Sequence, residues 1–212
     1  MCIRDSSVFQ RLVAEYPDSK FASRAAISRA KLLEEKGKPE LAKAFYQKVV
    51  DRFPNFELAQ AARLRLAAFY REAGDTNSLR KAKTLTEEFL NVAASSSSEK
   101  KGATSQALVA EALYQIAWID RDLGNKAASN EAFAELVATQ SQSKYWPDAA
   151  WRLASSLVAA ERFAEATTMV EKILARKTVP PEVKIQTLYL QSKIAAATQR
   201  WDMVPDLSLI HI

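Results

Sequence analysis

Slid against itself by 37 positions, the chain superposes like on like. Leu12, Val13, Tyr16, Pro17, Phe21, Ala22, Ala25, Ile27, Ala30 and Gly37 fall on Val49, Val50, Phe53, Pro54, Leu58, Ala59, Ala62, Leu64, Ala67 and Gly74. Small residues stay small and apolar residues stay apolar. A period this long belongs to a supersecondary unit, so the chain is built by repetition, and no unit buries its apolar face without its neighbours. Two further echoes extend the pattern: SKYWPDAAW (Ser143–Trp151) repeats SKFASRAAI (Ser19–Ile27), and GNKAASNEAF (Gly124–Phe133) repeats GKPELAKAFY (Gly37–Tyr46).

The repeating unit is helical. Only four glycines occur in 212 residues, Ala and Leu are plentiful, and alternating β-branched runs are missing. Gly37, Gly74 and Gly124 each separate two helical patterns, where a residue tolerant of φ > 0 lets one helix end and an antiparallel partner begin. The periodicity predicts helices over 7–16, 19–36, 39–52, 56–73, 77–92, 104–123, 126–140, 145–160, 162–176 and 180–199.

This arrangement resembles the tetratricopeptide repeat, whose second helix carries a small residue, an aromatic four positions later, a small or aliphatic residue at seven and a proline at twelve. Ala42, Tyr46, Val49 and Pro54 match all four; Phe9, Leu12 and Pro17 match the last three, with Asp5 at the small position. Ser129, Phe133 and Leu136 continue the pattern without the proline, and Ala166, Val170 and Ile173 follow it more weakly. The resemblance implies an all-α fold, a right-handed α-solenoid of stacked antiparallel helix pairs in about five repeats. Small residues such as Ala42 and Ala67 are expected to let paired helices approach, while Tyr46, Phe53 and Phe133 fill the seam to the next pair. The junctions YPDSKF and RFPN resemble those of the bacterial envelope group of these repeats, which includes the assembly lipoprotein of the outer-membrane β-barrel machinery and the Tol-Pal-associated cell-division coordinator. That resemblance leans toward a periplasmic or outer-membrane-associated setting, with the cytoplasm open; helix capping by Asp18 or Ser19 explains the same residue types without appeal to function.

The termini and the middle depart from the array. One coding of Met1–Ser6, ATG TGT ATA AGA GAC AG, has an opposite strand that reads Leu207–Ile212, and the string resembles a transposase-type sequencing-library adapter. Residues 1–6 and 207–212 are therefore expected to be foreign to a fragment of a longer bacterial protein, and they contain its only Cys (Cys2) and His (His211). The polar, Ser-rich stretch Ala93–Ser105 reads as a loop dividing an N-terminal arm, 7–92, from a truncated C-terminal arm, 106–206, and as the first target for a protease. Trp201 stands where a further second helix would start.

Chemistry has little purchase on this sequence. Without Cys2 and His211 there is no thiol or imidazole, which removes Cys/His metal sites, Cys nucleophiles and His acid–base work. No GxGxxG, P-loop, HExxH, CxxC or GxSxG motif is present. The pairs Glu34/Glu35 and Glu87/Glu88 are adjacent and diverge on a helix. No cofactor and no catalytic or metal-binding residue is expected, so the chain reads as a non-enzyme. Its 30 Lys+Arg interleave with 25 Asp+Glu, a mixed surface that disfavours nucleic acid. No apolar run of about 20 residues crosses a membrane.

What the resemblance implies is a protein–protein interaction scaffold that holds a peptide or partner segment in its concave groove. A spacer solenoid without a specific ligand, or the regulatory arm of a larger enzyme, remains open. The family's inner wall comes from the first helix of each pair, and the repeat register places Arg24, Lys31, Leu64, Arg71, Tyr114, Trp118, Arg121, Trp151, Tyr189 and Lys193 on it. Aromatics gather in its C-terminal half with cations close by, a composition suited to an extended peptide with apolar side chains and a carboxylate. Trp118 and Trp151 can equally be core.

Overall fold

The computed structural model describes residues 11, 15, 16, 19–53, 57–95 and 103–200. These contain nine helices and no strand: α1 Lys20–Glu35, α2 Pro39–Arg52, α3 Glu57–Ala73, α4 Thr76–Ser95, α5 Ala103–Asp122, α6 Lys126–Thr139, α7 Trp146–Ala159, α8 Phe163–Leu174 and α9 Pro181–Thr198. The periodicity placed each of these within three residues of its observed ends. Of the expected helix 7–16 only Arg11, Glu15 and Tyr16 are described, and Pro54, Trp201 and both terminal hexapeptides lie outside the described residues.

Local chemistry accounts for the helix ends. Ser19 opens α1 by accepting from the Phe21 amide at 3.2 Å, and Asp75 opens α4 by accepting from the Asn77 and Ser78 amides at 3.0 Å each. Hydrogen bonding from Ser78 draws the Asp75 carboxyl below its usual range. Gly37 takes φ +67° between α1 and α2, as a tight reversal requires. The α7–α8 turn and the end of α9 use Glu161 at +58° and Gln199 at +56° instead, left-handed positions for which the sequence has no glycine signal.

The chain divides between Gly124 and Asn125 into two compact units. In the first, α1 to α5 each pack on the next, and α1 also meets α3 as α3 meets α5. In the second, α6 to α9 pack in sequence and α7 also meets α9. Neighbour plus next-but-one contact is the packing of a stacked helical array. The Ser-rich stretch falls inside the first unit, because α5, which follows it, packs back on α4 and α3. Its edges are helical rather than loop: Phe89, Leu90 and Ala93 carry the apolar face of α4 past residue 92 against Leu64, Leu108 and Val109, and the Ser95 hydroxyl donates to the Asn91 carbonyl at 2.8 Å. Residues 96–102 lie outside the described ones.

The repeat positions are core positions. Ala42, Tyr46 and Val49, then Ser129, Phe133 and Leu136, then Ala166, Val170 and Ile173 are all buried. Ala30, Ala42 and Ala59 bring α1, α2 and α3 close, while Tyr46, Val49 and Leu66 fill the space between them. In the second unit Ala154, Ala166, Val170, Leu190 and Ile194 do the same for α7, α8 and α9.

Candidate interaction surface

Because α1, α3 and α5 lie side by side in the first unit, their outward flanks form one wall. On α1, residues 21, 24, 28, 31 and 35 recur at three and four and are all exposed, so Arg24 and Lys31 share one exposed face of that helix, the face expected to contribute to the wall. Leu64 is not on it: at 1% exposure it packs against Phe89 of α4 and Ala112 of α5 and is core. The sequence register missed this because α3 is enclosed by helices on both sides, so positions free on a lone hairpin are covered here.

On α5 the expected residues converge. Tyr114 and Trp118, one turn apart and half-buried, meet edge to face with ring centroids 6.2 Å apart. Two guanidiniums flank the same indole, Arg71 from α3 at 5.3 Å and Arg121 from α5 at 5.4 Å. Arg71 also donates to Asp122 at 3.0 Å, a partner invisible to repeat alignment because it lies 51 positions away. The structure thus brings Arg71, Tyr114, Trp118 and Arg121 together and keeps Leu64 apart. It also adds Gln115, which donates to Glu111 at 3.1 Å while its buried carbonyl oxygen accepts no hydrogen bond.

A three-residue clamp ties α1, α2 and α3 together. The buried Tyr46 hydroxyl of α2 donates to Glu34 of α1 at 2.9 Å, and Arg65 of α3 donates to the same carboxylate. Burial, then Glu34 beside it, pushes the Tyr46 phenol well above its ordinary range. Burial works against the Arg65 charge, but Glu34 outweighs it and raises that group too. Further along, Lys83 donates at 2.7 Å to Asp120, a carboxylate only 3% exposed, and that bond raises the Lys83 ammonium.

In the second unit, Trp151 on α7 is half-buried against the cluster of Ala154, Ala166 and Leu190, and its indole nitrogen is buried without a hydrogen-bond partner. Tyr189 on α9 is 62% exposed, and Lys193 one turn on lies 5.3 Å from its ring centre. Ile185, 67% exposed and one turn earlier, extends that stripe. Its four-residue spacing from Tyr189 was the available signal.

Among the described residues no helix is long and apolar enough to cross a membrane. A tetratricopeptide repeat-like domain model matches residues 4–103, and a tetratricopeptide repeat model matches 111–143. No curated protein sequence matches the chain. Similar solved structures include the pilF protein of Pseudomonas aeruginosa, 14% identical with a TM-score of 0.64 over 92% of this chain and 76% of that one. YrrB, described as a TPR protein with an unusual peptide-binding site, is 15% identical with a TM-score of 0.61 over 97% of both chains. BtubC (BKLC) from P. vanneervenii is 18% identical with a TM-score of 0.65 over 95% of this chain and 83% of that one. The fold is therefore that of a tetratricopeptide-type helical solenoid, and the matches support a tetratricopeptide-repeat protein, a class suited in general to scaffolding protein interactions.

Proposed function

We propose that the chain is a non-catalytic scaffold that holds an extended peptide or partner segment on the wall formed by the first helices of its repeats. The observation that carries this is the α5 cluster, where a half-buried indole is flanked by two guanidiniums and met by a tyrosine edge. Such a surface offers aromatic area beside a fixed positive charge, the composition of an interface hot spot for apolar side chains and a carboxylate. Trp151 and the Tyr189–Lys193 pair give the second unit aromatic and cationic groups of the same kind. YrrB's peptide-binding site is a property of a relative of the same fold, consistent with this reading.

The test is selection of binding peptides from a displayed library, followed by titration of Tyr114→Ala and Arg121→Ala. Each is expected to weaken binding by ~1–3 kcal/mol with little change in melting temperature. If no peptide is selected, or if both variants unfold as Tyr46→Ala does, the wall is a spacer surface and the proposal fails.

A further inference from the structure

A second surface lies in the first unit, on the second helices of its repeats. Gln47 of α2, Tyr70 near the end of α3, and Arg80, Lys81, Thr84 and Leu85 of α4 surround a cleft of about 410 Å³, and Lys43 of α2 stands over the same tyrosine. Its floor is apolar: Tyr70 and Leu85 are half-buried and join the core beneath. Its rim is cationic, with the Lys43 ammonium 4.4 Å and the Lys81 ammonium 5.5 Å from the centre of the Tyr70 ring.

The charges of this rim stand out against their neighbours. On α3 and α4, Arg63 has Glu88, Arg65 has Glu34, Arg71 has Asp122 and Lys83 has Asp120. Lys43, Arg80 and Lys81 have no carboxylate within ion-pair distance among the described residues. Asp51, one turn beyond Gln47 on α2, accepts from the Gln47 carboxamide at 2.7 Å. The Thr84 hydroxyl spends its proton on the Arg80 carbonyl at 3.1 Å, so its oxygen is left to accept only. Three positive charges over an apolar floor are complementary to a negatively charged, partly apolar ligand, and the Tyr70 ring beneath Lys43 and Lys81 keeps those two at the cleft mouth.

We infer that this cleft docks an acidic peptide segment of a partner protein, with an apolar side chain laid on Tyr70 and Leu85 and carboxylates placed between Lys43 on one side and Arg80 and Lys81 on the other. It stands apart from the wall of α1, α3 and α5 and does not depend on the peptide-binding proposal made for that wall.

The experiment titrates the full chain with a fluorescein-labelled peptide alternating Glu with Leu and Phe, beside a Lys-for-Glu counterpart and a Gly/Ser peptide of equal length. The acidic peptide is expected to bind saturably and to weaken as salt is raised, while the other two do not bind. The double variant Lys43→Ala/Lys81→Ala should weaken it about tenfold, and Lys126→Ala, at an exposed lysine of the second unit, should leave it unchanged. Amide shifts on binding should map to Tyr70, Thr84 and Leu85, which reads the site without any substitution. Equal binding by the double variant, shifts centred on α5, or binding by the Gly/Ser peptide would overturn the assignment.

Discussion

Tyr46 separates packing from hydrogen bonding within one side chain. Tyr46→Phe keeps the buried ring, which is 1% exposed, and removes only the hydroxyl that donates to Glu34. A hydrogen bond to a charged acceptor is worth ~1.5–3 kcal/mol. Glu34 keeps Arg65 as a donor and its side chain is 19% exposed, so the lower end applies, about 1.5 kcal/mol. Tyr46→Ala also removes the ring from a seam shared by α1, α2 and α3 and should cost ~3–5 kcal/mol. Arg65→Ala breaks a pair whose cation is 49% exposed, a cost of about 0.5–1 kcal/mol after screening by solvent. At ~2–4 °C per kcal/mol for a chain of this size, thermal melting followed by circular dichroism should rank Tyr46→Ala well below Tyr46→Phe, with Arg65→Ala nearest wild type. Hydrogen exchange should quicken in α1–α3 in the same order. The pH dependence is a second check. A phenol whose pKa is raised by folding contributes stability that is whole below pH 10 and lost as pH rises toward its folded value. Wild type should therefore lose stability from about pH 10 upward, and Tyr46→Phe should lose less. A Tyr46→Phe variant that melts with wild type and has the same alkaline slope would show that the hydroxyl is not bonded to Glu34 and that the clamp reasoning is wrong.

Other substitutions test the turns and the buried charge. Glu161→Gly relieves a left-handed non-glycine residue and is expected to raise stability by about 0.5–1 kcal/mol, read as a higher urea midpoint; an unchanged or lower midpoint would show that the turn carries no strain. Lys83→Met leaves Asp120, 3% exposed, without its 2.7 Å donor and should cost ~1–3 kcal/mol. Because folding raises the Lys83 ammonium, its contribution is present below its ordinary value of 10.5 and fades above it, so the gap between wild type and variant should narrow in strong alkali.

The helices and the seam were legible because their determinants are local. Ala42, Tyr46 and Val49 share about two turns of α2, and Gly37 sits where the backbone turns left-handed, so a pattern within some forty residues contains the whole argument. The interaction surface was legible only where it stays on one helix. Tyr114, Trp118 and Arg121 are spaced by four and three on α5 and were found together. Leu64 was misplaced because its cover comes from Phe89 and Ala112, on two other helices. The Tyr70 cleft combines α2, α3 and α4, none of which shows an unusual composition by itself. Glu161 hid a reversal because left-handed backbone there is imposed by the packing of α7 on α8 and not by a glycine.

The α5 cluster also shows why a count of cations misjudges what a wall offers to a ligand. Arg71 and Arg121 stand at nearly equal distances from the Trp118 ring, so by the indole alone they are equivalent. Their charges are not. Asp122 takes that of Arg71 at 3.0 Å, whereas Arg121 has no ion pair among the described residues, so the positive charge presented by the cluster is mainly that of Arg121. A ligand carboxylate that approached Arg71 would have to displace Asp122 or share a guanidinium with it, and like charges at one donor repel. Removing Arg71 has two opposed effects, since it uncovers one side of the indole and also leaves Asp122 unpaired to repel an acidic ligand. For a peptide held by its carboxylate, Arg121→Ala should therefore weaken binding more than Arg71→Ala, and amidating the carboxylate should abolish the difference. Equal losses that persist with the amidated peptide would mean that the guanidiniums act by covering Trp118 and not by charge.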